Sequence, residues 1–164
     1  MYNEFAPQLS HALESLAKII DKAEAHCEAK GIKPERILND GLSPDAFNFT
    51  KQVQTVSDFV LRAPARLMGN EPESTPDTET SFTELKARCL KAKAHMDSFS
   101  AEDFKGAETI EVVMKTPRGE MKMSGHDYVF SFIYPNFYFH MTTAYQILRH
   151  NGVELGKMDF LGRA

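Results

Sequence analysis

The sequence predicts a mainly α-helical bundle with one small β-hairpin, and three observations support that fold class. Apolar residues recur at three- and four-residue spacing over four long stretches of the 164-residue chain. A single short stretch, Ile110 to Met123, alternates with a period of two instead. With 42% hydrophobic and 26% charged residues, the chain has an ordinary globular composition and can bury a core without staples. One domain over residues 1–164 is expected.

From Asn3 to about Lys30, Phe5, Leu9, Leu13, Leu16, Ile20, Ala23 and Cys27 define an apolar face opposite His11, Ser15, Lys18 and Lys22. Gly31 is the stop signal for this first helix. In the connector GIKPERILNDGLSP, Pro34 is placed to open a short helical turn. Ser43 before Pro44 and Asp45 reads as the start of a second long helix, Pro44 to Met68. Its core face is Phe49, Val53, Val56, Phe59, Val60, Ala63 and Leu67, and Pro64 is expected to kink or break it. Gln52, Gln54 and Asp58 lie on or beside the apolar edge and read as solvated flanks, Gln54 most clearly.

The segment GNEPESTPDTET has no hydrophobic period and reads as a mobile surface loop. A third helix follows over about Ser81 to Phe99, packed through Phe82, Leu85, Cys89, Ala92 and Met96, with Ser81 and Glu84 as a capping box. Ile110, Val112 and Met114 then alternate with Glu111, Val113 and Lys115. After Pro117-Arg118-Gly119 the alternation resumes at Met121 and Met123, giving a hairpin. A lone hairpin is marginal, so its methionine face must lie on the helices or on a second subunit. Gly125-His126-Asp127 leads into the fourth helix, which ends at Gly152, and the tail carries enough apolar residues (Leu155, Met158, Phe160, Leu161) to be docked.

Several function classes are disfavoured. A net charge of -4 with interleaved signs leaves no basic footprint for nucleic acid. Cys27 and Cys89 match no metal or redox spacing and suit a reducing cytoplasm. The N-terminal MYNEFAPQLSHALE lacks the basic start and apolar core of a signal peptide. The run from Tyr128 to Leu148 is broken by Pro135, Asn136, His140, Thr142, Thr143 and Gln146, so no membrane span is expected. There is no nucleophile elbow, phosphate-cradling glycine loop or acidic metal loop. His126-Asp127 reads as helix-start capping, and Arg149-His150 as cations complementing the helix dipole.

The fourth helix holds the place to look for a site. Phe130, Ile133, Phe137, His140, Ala144, Ile147 and Asn151 share one face, so His140 sits inside an apolar stripe with Asn136 one turn before it. A buried imidazole needs partners, and the bland reading is a satisfied core histidine. Phe132, Tyr138 and Phe139 lie off that stripe, which makes this helix apolar on more than one face and suggests a homodimer.

The segments PNFYFHMTTAYQILRHNGVELGKMDFLG, LSPDAFNFTKQVQTVSDF and ETSFTELKARC closely resemble an uncharacterised bacterial domain-of-unknown-function family within the DinB/YfiT-like superfamily. The resemblance covers essentially the whole chain. It implies a four-helix bundle, commonly dimeric, in which many members bind a divalent metal through three histidines and some are thiol-dependent transferases. In those relatives one histidine comes from the second helix and two from an H-x-x-x-H pair on the last. Here His140 matches the second member of the pair, Asn136 stands at the first, and Gln52 falls at the second-helix position. One imidazole with two neutral amides is a poor first-row metal site.

Gln52, Asn136 and His140 are instead expected to form a hydrogen-bonding cluster, since each side chain both donates and accepts. Tyr145, Asp58 and Tyr138 are further candidates, although Tyr138 points away from His140 on a straight helix. The leading expectation is a cytoplasmic, dimeric DinB-like bundle with a degenerate metal site, no cofactor, and a small-ligand-binding or structural role. One alternative keeps a divalent metal, or uses His140 as an acid/base in a transferase or hydrolase. Another is a protein-interaction module.

Overall fold

Amphipathic periodicity becomes four long packed helices in the computed structural model of the protein, which describes residues 1–116 and 119–163. They are α1 (Tyr2–Lys30), α3 (Phe49–Leu67), α4 (Phe82–Asp97) and α6 (Tyr134–His150). The short helices α2 (Pro34–Leu38), α5 (Gly125–Asp127) and α7 (Lys157–Phe160) join or follow them. Helix α1 packs mainly on α4, and α3 packs on both α4 and α6, so α3 occupies the middle of the arrangement. The predicted stripes of α1, α4 and α6 enclose one apolar core, reaching from Phe5 and Leu9 through Val53 and Val60 to Phe137 and Ile147.

The helix ends follow their sequence signals. Gly31 has φ 64°, and the amide of Ile32 donates to the carbonyl of Cys27 at 2.9 Å, a Schellman closure of α1. Ser81 and Glu84 make the expected capping box on α4. Helix α3 starts later than Ser43 and Pro44 suggest. The side chain of Asn48 accepts from the amide of Lys51 at 2.9 Å, and the amide of Phe49 is taken by the Asp40 carbonyl, so residues 43–48 remain a turn. Pro64 does not end α3, which continues through it to Leu67. Its lost donor is tolerated in the helix's last turn.

The hairpin is β1 (Glu111–Thr116) antiparallel to β2 (Gly119–Ser124), with Val112 opposite Met123 and Met114 opposite Met121. The predicted turn residues Pro117 and Arg118 lie outside the described residues. Val112 and Met114 of β1 are buried against α3 and Met123 of β2 is part-buried against the core, while Met121 is exposed. After β2, Gly125 lies so close to the Ala107 carbonyl oxygen that a Cβ there would sit 1.8 Å from it. A π-helix then spans Tyr128–Ile133 before α6 resumes the ordinary pitch. The tail docks on α1, where His11 Nε2 meets the Leu161 carbonyl at 2.8 Å and Lys22 pairs with Asp159. Ser15 is therefore buried, contrary to its placement on the solvent face.

The largest departure from expectation is the segment 70–80. It forms no helix or strand, yet it is pinned to α3 and α4 by Arg88, which is only 4% exposed. One guanidinium nitrogen donates to the Pro76 carbonyl at 2.8 Å and to Glu79 Oε1 at 2.9 Å. The other reaches Asp58 Oδ1 at 2.6 Å and Asp77 Oδ1 at 2.9 Å. Gln54 is buried as well, donating to Glu79 Oε2 at 2.9 Å, so the solvated-flank reading of Gln54 fails. Arg62 on Asp58 and Lys51 on Asp77 complete a charge-balanced group of three cations and three carboxylates. Burial pushes the Asp77 and Glu79 carboxyls up, but Lys51 and Arg88 on the first, and Arg88 and Gln54 on the second, outweigh it and hold both down.

Replacing Arg88 by Ala strands these carboxylates. The expected cost is about 3 kcal/mol, the low end for breaking a buried pair because the freed segment can turn to water. Chemical denaturation reads that cost, and hydrogen exchange should show lost protection confined to 70–80. Depressed folded-state pKa values stabilise above the unfolded value, about 4, and that stability is lost as pH falls through the folded values. The segment should therefore loosen below about pH 4 in wild type, and this acid step should be smaller in Arg88→Ala, where only Lys51 still holds Asp77.

Candidate functional site

The late start of α3 builds the site. Because residues 43–48 stay a turn, the Phe47 carbonyl lies over the first turn of α3 and accepts from Gln52 Nε2 at 3.1 Å. That bond fixes the amide: Gln52 Oε1 faces α6 and meets His140 Nδ1 at 2.7 Å. An oxygen can only accept, so Nδ1 carries the proton, and Nε2 keeps its lone pair. Among the described residues Nε2 has no protein partner. Burial pushes the His140 pKa down, which keeps the ring neutral at pH 7.

Aromatic rings surround the imidazole. Phe47 and Phe59 lie nearly parallel to it, each with centroids 6.0 Å away, and Phe139 meets it edge-on at 5.2 Å. Phe139 is 64% exposed and Phe47 is 48% exposed, so this side of His140 faces solvent. No carboxylate hydrogen-bonds to the ring among the described residues. The arrangement is a neutral acceptor nitrogen in an aromatic frame, oriented by an amide.

Of the four predicted ligand-binding residues, Gln52 and His140 come together, and Asn136 and Tyr145 do not join them. The Asn136 amide donates to the Phe132 carbonyl at 2.7 Å, four residues back along the chain. Tyr145 packs edge-on against Phe160 at 5.6 Å and lines a separate open depression of about 530 Å³ with Leu42, Gln146, Arg149 and His150. That depression contains no oriented titratable pair, so size alone does not make it the better candidate. Asp58 belongs to the Arg88 group on the other side of α3. Tyr138 meets Tyr134 and Phe137 edge-on, away from His140.

The residues at the three superfamily metal positions do not fit a metal. Gln52 spends its oxygen on His140 and its nitrogen on Phe47, while Asn136 is turned to its own helix. Among the described residues no three His, Cys, Asp or Glu side chains converge. Sequence reasoning missed Arg88 and Phe47. Arg88 was detectable: it lies three residues after Leu85 and four before Ala92, on the buried stripe of α4.

Fold and site together define a DinB-like helical bundle whose polar centre is an imidazole–amide pair. The chain belongs to the family described as Domain of unknown function (DUF1993), whose model matches residues 1–161. It is also similar to a crystal structure of a DinB family member protein from Shewanella denitrificans, with 40% identity and a TM-score of 0.90. That likeness covers 98% of this chain and 91% of the other. No curated protein matches it. No helix among the described residues is long and apolar enough to cross a membrane.

Truncating His140 to Ala leaves the Gln52 oxygen unsatisfied at 2% residue exposure, at an expected cost of about 1–3 kcal/mol. Asn136→Ala should stay within about 0.5 kcal/mol, since its bond is local to one half-exposed helix turn. The lowered folded pKa of His140 makes its contribution fully present above the unfolded value, about 6.5, and lost as pH falls through the folded one. Urea unfolding of wild type and His140→Ala across that window should show the acid slope in wild type alone.

Proposed function

We propose that this protein binds a small, neutral, flat molecule at His140, which presents one hydrogen-bond donor to Nε2. The observation that carries this reading is the Gln52–His140 bond, which fixes the tautomer and leaves an acceptor lone pair within a frame of three phenylalanine rings. The site is a superfamily metal position converted to metal-free recognition. The same lone pair, oriented by Gln52 and held neutral, is what a general base needs, so an enzymatic role would run through His140 as proton acceptor.

Phenol and indole are the first probes. Each should shift the His140 imidazole signals of isotope-labelled protein, and Gln52→Leu, which frees the tautomer, should weaken the response about ten-fold. Elemental analysis of protein purified without affinity-tag metal tests the competing view. Near-stoichiometric metal that disappears in both His140→Ala and Gln52→Ala would sink the metal-free reading.

We further propose that the chain resides in the cytoplasm and pairs with a copy of itself. Both cysteines are free and buried, as a reducing compartment permits. Phe139, Phe47 and Leu42 are exposed large apolar residues, and Phe139 and Phe47 flank His140, so a second copy on this face would close the open side of the site. Light scattering should give twice the 18.5 kDa chain mass for wild type and the single mass for Phe139→Ser. A wild-type monomer at high micromolar concentration would rule the pairing out.

A further inference from the structure

A cavity of about 350 Å³, apart from the His140 site, is lined by the C-terminal halves of α3 and α4 and by the segment that joins them. Its floor is apolar. Leu61, Ala65 and Met68 recur at helical spacing along one face at the end of α3, and Phe99 joins them from just beyond α4. Leu61 and Phe99 pack on the core, and all four keep some exposure.

The third wall exists because the joining segment is tied at both ends. Gly69, at φ 76°, ends α3 in a Schellman closure, with the Asn70 amide donating to the Ala65 carbonyl at 2.8 Å and the Gly69 amide to the Arg66 carbonyl at 3.1 Å. Further along, the Pro76 carbonyl accepts from Arg88 of α4 at 2.8 Å. Residues 71–75 therefore cross from one helix to the other, and the wall they make stands where Arg88 holds it.

The walls differ in charge. The crossing segment supplies two carboxylates, Glu71 and Glu73, and α4 supplies the Lys91 ammonium and the His95 imidazole one turn apart. Among the described residues no hydrogen bond or ion pair engages these four side chains, whereas the neighbouring Asp77 and Glu79 are both paired with Arg88. The His95 ring meets Phe99 edge-on at 5.1 Å. An apolar anion in this cavity would face two glutamates, and an apolar cation would face Lys91. A molecule carrying both charges gives each wall its complement. The volume lies at the small end of ligand pockets, about 300–1,000 Å³.

We infer that this cavity takes a free amino acid with a large apolar side chain, its side chain on the Leu61–Phe99 floor, its carboxylate on Lys91 and its ammonium on Glu71 and Glu73. Arg88 is a positioning residue for the site: it holds the crossing segment without lining the cavity. The inference is independent of the His140 reading.

The test titrates phenylalanine into the isotope-labelled full chain and follows the His95 imidazole and the backbone amides between Asn70 and Thr75. N-acetylphenylalanine, which lacks the ammonium, and phenylalaninamide, which lacks the carboxylate, are titrated beside it. Phenylalanine should bind about ten-fold tighter than either blocked form. Lys91→Gln should bring it down to the affinity of the amide, and Glu71→Gln with Glu73→Gln to that of the acetyl compound. All three substitutions fall on exposed side chains, so the fold should be unaffected. Arg88→Ala should weaken all three compounds together, because the wall loosens while its four lining groups stay in place; unchanged affinity would remove the positioning role. Signals that stay still at His95 and 70–75, a blocked form that binds as tightly as phenylalanine, or a preference that survives the Lys91, Glu71 and Glu73 substitutions would each overturn the site. Movement confined to His140 would overturn it as well and leave the His140 reading standing.

Discussion

Helix α3 buries polar side chains on both sides, and the need to satisfy them from outside the helix shapes much of what surrounds it. On the α6 side, Gln52 is 2% exposed and reaches the Phe47 carbonyl and His140. On the α4 side, Gln54 and Asp58 reach Glu79 and Arg88. The segments flanking α3 are thereby drawn inward: residues 43–48 cover its first turn, and 70–80 fold back along its other face. Neither flank forms regular structure, and each has a position because a buried donor or acceptor on or beside α3 requires one.

The two sides use different physics. Around Arg88 the charges balance, and the Coulombic gain must offset the cost of removing them from water, so the group is better evidence for a fixed arrangement than for large net stability. The Arg88 Nε atom even lacks a partner among the described residues. Around His140 there is no charge to balance. Burial keeps the ring neutral, and one amide decides which nitrogen is protonated. The first side resembles a structural clamp, the second a recognition element with one hydrogen-bonding position left open.

Much of the fold was legible in the sequence because helical and strand periods report directly on which residues face the core. Gly31, the Ser81–Glu84 box and the stripe through Leu85, Cys89 and Met96 behave as local rules require. The pairing of Gln52 with His140 was reachable only through the superfamily positions, since 88 residues separate them. The failures have a common cause. Ser43 and Asn48 are both good caps, and helix-start rules alone do not choose between them; the bonds of the Phe49 amide to the Asp40 carbonyl and of the Gln52 amide to the Phe47 carbonyl do. Gln54 and Asp58 look solvated until Arg88 is recognised as buried, and the polar segment 70–80 looks mobile for the same reason. Asn136 lies one turn from His140 on α6, as its spacing predicts, but its amide bonds back to the Phe132 carbonyl four residues earlier, as that of Asn151 does to Ile147.

At the positions where the superfamily resemblance implies imidazole ligands, the amides here are engaged in bonds of their own. For Gln52, Asn136 and His140 to converge on a metal, Gln52 would have to release both His140 and the Phe47 carbonyl, and Asn136 would have to leave Phe132. Three hydrogen bonds at roughly 0.5–1.5 kcal/mol each would be given up for two weak neutral oxygen donors. The amides are committed elsewhere, and the direction of that commitment matters. Gln52 points its oxygen at Nδ1, the opposite of an amide nitrogen donating to the ring, so the exposed face of His140 is Nε2 without its proton. On the ligand-binding reading proposed above, that lone pair is what would meet a donor from solution, and the phenylalanines around it are what would favour a flat one.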